Sequence, residues 1–225
     1  MRSDLGGDVG PQRRSSAVRS PHWPDLALVA LAVALGVTLV HVVPPGEAPD
    51  EPAHLAYVAY VSRTGQLPPV VPHPSGTTYE YYQPPLAYAT IALLTSAADI
   101  QPVVGPFTRR EKFDFGPRER AFVPGPAQHG FLRAARAANL VWLPVAAAAT
   151  LFVCRRAAPT PGLGRAAAAP FILAPQLIFV SSTVNNDAAL AGICCSATAA
   201  LFHLSQVRRP TAVAAACAGA LAGGG

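Results

Sequence analysis

The chain has 225 residues, of which 51% are apolar and only 13% are charged, and it carries a formal net charge of +5. About a quarter of the residues of a soluble domain are usually charged, so this composition, with a mean hydropathy of +0.31, indicates a membrane protein. The positive charge does not indicate nucleic-acid binding, because the arginines flank apolar runs and form no basic patch interleaved with aromatic side chains.

The N-terminal segment, residues 1–24, is rich in Arg, Ser, Gly and Pro, and we predict a disordered cytoplasmic tail. Residues 26–43 form the first apolar run, with Thr38 and His41 as its polar members. A helix of this length extends roughly 27 Å, close to the hydrocarbon thickness of a bilayer. Because the run is longer than the core of a signal peptide and ends in two prolines, it favours an uncleaved signal anchor.

Residues 44–130 are predicted to form a long first loop on the outer face, with two juxtamembrane helices inside it. The first helix extends from about residue 51 to 63, with Asp50 as N-cap and Gly65 as its end, and its apolar side suits a membrane surface. The second, residues 86–98, has an apolar length of about 13 residues, which is short for a full span.

Further spans are predicted over residues 132–153, 166–182 and 188–204, so that residues 25–205 form one transmembrane domain. Residues 206–225 begin another apolar run at Thr211, and we expect the chain to be the N-terminal part of a longer protein. If residues 86–98 do not cross the membrane, the arginines at 155, 156, 165, 208 and 209 all fall inside, as the positive-inside rule requires. The predicted fold class is therefore all-α, a polytopic transmembrane helical bundle in the cell membrane.

Two adjacent carboxylates, Asp50 and Glu51, and the imidazole of His54 follow the first span. A carboxylate there can act as a general base, or it can bind a divalent cation that neutralises a phosphate leaving group. Glu51 and His54 would share one helical face, so the three residues are the candidate metal ligands. In the alternative interpretation Asp50 caps a helix, Glu51 interacts with the helix dipole and His54 is solvated.

Other candidates come from the chain beyond the first helix of the loop. Asp187 lies between two apolar runs, where it is either a functional carboxylate or part of an Asn-Asn-Asp turn and cap. Glu80 and Gln83 lie in a tyrosine-rich segment that is typical of a membrane interface, and they are candidate substrate contacts. Arg133 and Arg136 could bind a phosphate through bidentate hydrogen bonds or extend to lipid headgroups.

Five motifs occur in a characteristic order: Ala-Pro-Asp-Glu-Pro-Ala-His at 48–54, Gly-Gln-Leu-Pro at 65–68, Tyr-Gln-Pro-Pro-Leu-Ala-Tyr at 82–88, Arg-Ala-Ala-Asn at 136–139 and Ser-Ser-Thr-Val-Asn-Asn-Asp at 181–187. In this order they resemble the N-terminal half of membrane glycosyltransferases of the GT-C fold. These include the protein O-mannosyltransferases, the lipid A aminoarabinose transferases and related predicted bacterial membrane proteins. The resemblance covers roughly residues 26–205, but a phosphate-binding Lys that many members have beside the Pro-Pro motif is missing here.

The resemblance implies transfer of a sugar from a polyprenyl-phosphate donor to an acceptor on the outer face. It implies Asp50 as the base, with Glu51 and Asp187 supporting it, and we expect Arg136 to contact the donor phosphate. Whether a divalent cation takes part is left open. The expected partners are the lipid bilayer and the polyprenyl-phosphate-linked sugar, and no nucleic acid. Two alternatives are a transporter or lipid-handling protein without enzymatic activity, and an inactive truncated fragment.

Overall fold

The structure is a computed structural model that describes residues 22–69, 80–103, 126–206 and 219–220. These residues form eight longer helices: α1 (Trp23–Val42), α2 (Glu51–Thr64), α3 (Leu86–Ala97), α4 (Pro126–Asn139), α5 (Trp142–Ala157), α6 (Pro161–Ile172), α7 (Pro175–Ser181) and α8 (Asp187–Gln206). No strand occurs within the described ranges, so the predicted all-α class is confirmed for them. The predicted tail and most of the run that begins at Thr211 lie outside the described residues.

Three helical stretches are long and apolar enough to cross a membrane: Trp23–Val42, Ala127–Ala157 and Asp187–Gln206. The pair formed by α6 and α7, bent by 60° at its break, would make a fourth if it is one broken span. These helices leave many large apolar side chains exposed, including Leu31 and Leu35 on α1. Such surfaces are consistent with a membrane protein, in which lipid covers them.

The predicted span over residues 132–153 lies within the candidate membrane stretch Ala127–Ala157, which extends beyond it at both ends. It is part of two helices, α4 and α5, which meet at Leu140 and Val141. The stretch Ala127–Ala157 has 31 residues, and at a rise of 1.5 Å per residue it would measure roughly 46 Å, well beyond a hydrocarbon layer of about 30 Å. A stretch of this length is longer than the apolar layer is thick, and its first helix, α4, packs on α3 and α2.

The predicted span over residues 166–182 is also interrupted. Pro175 begins α7, and Ala174 before it has an extended ψ of 122°. A residue that precedes proline is sterically disfavoured in the helical region, so α6 ends before this point and the chain bends.

Two sets of contacts define two ends of the helical assembly. At one end, the start of α1 meets the end of α5 and the start of α6. We call this the basic end and define it by four residues: Asp25, Arg155, Arg156 and Arg165. Asp25 accepts hydrogen bonds there from Arg155 Nη1 and, at 2.7 Å, from Arg165 Nε. The end of α8 lies there too, because the His203 ring contacts Phe152 with their centroids 6.1 Å apart. The opposite end joins the end of α1 to the starts of α2 and α8.

The helices α2, α3 and α4 form a small core of their own at that opposite end. Leu55 and Val58 of α2 are fully buried, and Tyr57 is 1% exposed. They pack with Tyr88 and Ile91 of α3 and with side chains of α4. The apolar side of α2 was predicted to lie on the membrane surface. That prediction is wrong, because α3 and α4 cover this side.

The close approach of α5 and α6 depends on a glycine. A Cβ atom at Gly164 would lie 2.6 Å from Arg155 Cα and 2.8 Å from the Cys154 carbonyl oxygen, whereas one at Gly162 would meet nothing within 4 Å. We expect Gly164→Ala to cost about 1–3 kcal/mol, since backbone must move to admit the methyl group. Thermal unfolding of the purified protein measures the loss. The matched control, Gly162→Ala, should unfold like the wild type, and equal losses would show that the approach is not tight.

Candidate functional site

A buried ion pair between Glu51 and Arg136 lies at the centre of the end opposite to the basic end. Arg136 Nε donates to Glu51 Oε1 at 2.7 Å, and Nη2 donates to Oε2 at 2.6 Å. The two side chains are only 2% and 1% exposed. This is the parallel, two-bond geometry in which arginine and carboxylate bind most strongly.

The backbone satisfies the remaining hydrogen-bonding groups of the pair. Arg136 Nη1 donates to the carbonyl oxygens of Val40 and Val43, at 3.2 and 2.7 Å, and Nη2 donates to that of Pro44 at 3.1 Å. The arginine thus uses all five of its N–H groups. Three of them bond to carbonyl oxygens at and just after the end of α1. The last carbonyls of a helix have no partners within that helix, so Arg136 supplies them.

Glu51 makes two further contacts that extend the pair to distant parts of the chain. Its Oε2 accepts from the backbone N–H of Gly46 at 3.2 Å, and its Oε1 accepts from that of Val184 at 3.1 Å. The ion pair therefore ties together the end of α1, the loop that follows it, α2, α4 and the segment between α7 and α8.

These contacts correct two of the predicted roles. Arg136 has no N–H left with which to bind a donor phosphate, because all five are directed to protein oxygens. Glu51 is not exposed to a substrate, because both of its oxygens are buried in the pair. In this geometry both are positioning residues: they fix the backbone on either side of Asp50 and just before Asp187.

Asp50 precedes α2 in the N-cap position, as predicted, but its side chain does not cap the helix. Its backbone is left-handed, with φ at 54°, a conformation that few residues other than glycine adopt and that aspartate tolerates better than most. Such conformations persist where neighbouring contacts impose them, and they are frequent at functional sites. Here the neighbour is the buried Glu51, and the strained turn leaves Asp50 on the surface.

His54 is buried rather than solvated, so the alternative interpretation is wrong for this residue. Its side chain is 7% exposed, its Nδ1 lies 2.8 Å from the hydroxyl oxygen of Tyr88, and the two rings stack. The ring of Tyr57 also stacks on Tyr88, with the two ring centroids 3.9 Å apart. The aromatic contacts fix the orientation of the imidazole.

The charges of four carboxylates act on this imidazole. Burial lowers the pKa of His54, while the negative charges of Glu80, Asp50, Asp187 and Glu51 act in the opposite direction. We call this assembly of four carboxylates around His54 the acidic end. Every carboxylate that the sequence analysis selected therefore contributes to the electrostatic environment of His54, although they come from three separate parts of the chain.

The start of α8 explains how Asp187 reaches this assembly. Asn185 Oδ1 accepts from the N–H groups of Asp187 and Ala188, at 2.9 and 3.2 Å, so the cap of the helix is Asn185. Asp187 is left exposed in the first turn. Next to it, Asn186 Nδ2 donates to Gln83 Oε1 at 2.8 Å. The predicted contact residue Gln83 therefore joins the turn before α3 to the start of α8.

Two other predictions have different outcomes. Arg133 is exposed on α4, one turn before Arg136.

The proposed metal ligands Asp50, Glu51 and His54 do not form a ligand set, and no group of three His, Cys, Asp or Glu side chains in the described ranges is arranged to bind a metal. The physical reason is that the Glu51 oxygens face Arg136 and His54 Nδ1 faces Tyr88.

Sequence reasoning did not find Tyr88 or the backbone partners of the ion pair. A tyrosine in an apolar helix is typical of a membrane interface, and nothing in the local pattern distinguishes one that bonds a histidine. Asn139 was detectable, since it lies three residues after Arg136 on one face of α4. It donates to the Thr183 carbonyl oxygen at 2.7 Å and so supports the same segment as the ion pair.

Comparison of the chain with protein-family models, with curated proteins and with solved structures found no match.

The lowered pKa of His54 predicts a loss of stability in acid. The unfolded-state pKa of a histidine is about 6.5, and above that pH His54 is neutral in both the folded and the unfolded chain. Below that pH the unfolded chain binds a proton, whereas the folded chain binds one only at a lower pH. Protonation therefore favours the unfolded chain as the pH falls. We expect the wild type to lose stability as pH falls from 7.5 to 5, and His54→Gln to lose less over the same range. Thermal unfolding in detergent at each pH measures both, and parallel curves would contradict the prediction.

Proposed function

We propose that this is a membrane glycosyltransferase of the GT-C type, in which the acidic end transfers a sugar from a polyprenyl-phosphate donor to an acceptor. Two things support the proposal: the order of the five motifs, and the electrostatic interaction of one imidazole with Glu80 and with carboxylates from two of those motifs. The observation that carries it is the strained, exposed Asp50 beside the buried Glu51–Arg136 pair.

In the proposed reaction Asp50 is the general base. The acceptor oxygen or nitrogen attacks the anomeric carbon of the sugar, and its proton passes to the Asp50 carboxylate. The bond from the anomeric carbon to the phosphate oxygen breaks, and polyprenyl phosphate leaves with the bonding electrons. Asp187 is a second exposed carboxylate whose charge acts on His54. Because Arg136 is occupied, the exposed guanidinium of Arg133 is the proposed contact for the donor phosphate.

The distribution of charge supports an orientation with the acidic end outside the cell. Arg155, Arg156 and Arg165 lie at the basic end, and basic residues at span ends favour the cytoplasmic side. We expect a cysteine introduced at Glu47 to react with an impermeant maleimide added to intact cells, and one at Ser205 to react only after lysis. Labelling of Ser205→Cys in intact cells would reverse the orientation. Both cysteines are introduced into a variant whose four native cysteines are replaced by serine, and that variant, assayed in parallel, reports background labelling.

A transfer assay tests the function. Inverted and right-side-out vesicles that contain the full-length protein are given radiolabelled polyprenyl-phosphate mannose, glucose and aminoarabinose in separate reactions. We expect label to leave one of these donors only in vesicles that contain the protein and expose its acidic end. Equal release from vesicles that lack the protein, with every donor, would overturn the proposal. The transporter alternative predicts instead that intact donor changes sides without loss of its sugar.

A further inference from the structure

We propose that the basic end binds an anionic phospholipid, with an acyl chain in the groove between α1 and α5 and the phosphate on the arginines at the end of α5. This site lies at the opposite end of the helices from the acidic end, and it does not depend on the proposed reaction.

The groove is apolar along its length and charged at one end. It encloses about 250 Å³, and its apolar lining consists of Leu26, Val29, Ala148, Leu151 and Phe152. Asp25 and Arg155 complete the lining, at the start of α1 and in the last turn of α5. A ligand that fills this groove must therefore have an apolar chain and a polar group at one end, which is the chemistry of a lipid.

The charge at the mouth of the groove favours an anion. Asp25 accepts hydrogen bonds from both Arg155 and Arg165, and Arg156 adds a third guanidinium, so these four residues together are net positive. Arg156 is exposed, and its guanidinium carbon lies 4.9 Å from the ring centroid of Phe152, a lining residue. Arginine binds phosphate oxygens in a planar, two-bond geometry, and basic pockets between membrane helices are typical sites for anionic headgroups.

The depth of the site also fits a lipid. Trp23 begins α1, at the same end as Asp25, and it is 67% exposed. Exposed tryptophan is typical of the layer where headgroups meet acyl chains. A phosphate bound by Arg156 would lie in that layer, and its acyl chain would extend along the helices toward Val29 and Ala148.

Thermal unfolding in lipid nanodiscs tests the site. The full chain is placed in pure dioleoyl phosphatidylcholine and in the same lipid with one fifth dioleoyl phosphatidylglycerol. We expect the anionic lipid to raise the Tm of the wild type by about 3 °C or more, as for a ligand present well above its Kd. Arg156→Gln, which removes the exposed charge, and Ala148→Phe, which fills the groove, should each lose most of this shift. Arg63→Gln, which removes an exposed arginine on α2 outside the basic end, should keep it.

Each other outcome overturns the proposal. No shift for the wild type excludes the site, and a full shift for both Arg156→Gln and Ala148→Phe excludes this location. Loss of the shift in Arg63→Gln to the same extent would show that overall charge, and not this groove, attracts the lipid. An equal shift from inorganic phosphate in pure phosphatidylcholine would identify a free anion as the ligand. If one variant fails to fold in phosphatidylcholine, the other decides the result.

Discussion

Arg136→Met is expected to lower the free energy of unfolding by about 3–5 kcal/mol, the range for removing one partner of a buried ion pair. The substitution leaves the Glu51 carboxylate, 1% exposed, without its counter-charge. It also removes the donors to three backbone carbonyls at the end of α1, and buried carbonyls without partners are costly. The pair joins five parts of the chain. We therefore expect the substitution also to change the relative positions of the residues at the acidic end.

Chemical denaturation in detergent micelles measures this effect, with Arg133→Met as the matched control on the same helix. The control removes an exposed arginine and should change stability by no more than about 0.5 kcal/mol. The double variant Glu51→Leu/Arg136→Met removes both charges and should recover part of the loss, because no uncompensated charge stays buried. If Arg136→Met unfolds like Arg133→Met, the ion pair does not organise this end of the protein.

The helical class and the apolar helices could be predicted from the sequence because they depend on composition and on the length of uncharged runs. Proline and glycine also mark local ends reliably: α2 ends at Gly65, which has a positive φ of 65°. The break between α6 and α7 was missed, although Pro175 was visible, because a proline within an apolar run is compatible with both a kink and a break.

The acidic end was partly predictable. Asp50, Glu51 and Asp187 each stand beside an apolar run, and a topology that satisfies the positive-inside rule places them on one side. The division of roles among them was not predictable, because it depends on which carboxylate Arg136 reaches. Glu51 and Arg136 are 85 residues apart in the chain, and no local pattern shows that Glu51 is buried with it while its neighbour Asp50 is exposed.

The apolar side of α2 shows a related ambiguity. Leu55 and Val58 would have the same spacing on a helix that lies on lipid as on one that packs on protein. Only the positions of α3 and α4 decide between these, and both depend on contacts between distant segments. Composition gives the hydrophobicity of a face, whereas the tertiary structure determines what covers it.

Asp50→Asn is expected to lower the rate of sugar transfer by about 10²–10⁴-fold, the usual contribution of a positioned general base. Asparagine has nearly the same shape and also tolerates the left-handed backbone that Asp50 adopts. Since the Asp50 side chain is exposed and asparagine keeps its shape, the variant should insert normally and change stability by no more than about 0.5 kcal/mol. The change therefore removes the base and leaves the arrangement around it.

The transfer rate of Asp50→Asn relative to Glu47→Gln is the most direct test of the acidic end as a catalytic site. Glu47 is an exposed carboxylate in the same loop, three residues before Asp50, so it controls for the loss of one negative charge. Both variants are assayed in vesicles at equal protein content, with the donor that the wild type uses. We expect Glu47→Gln to transfer sugar within about twofold of the wild type and Asp50→Asn to lose at least about 100-fold. Equal rates for the two variants would contradict the assignment of Asp50 as the base.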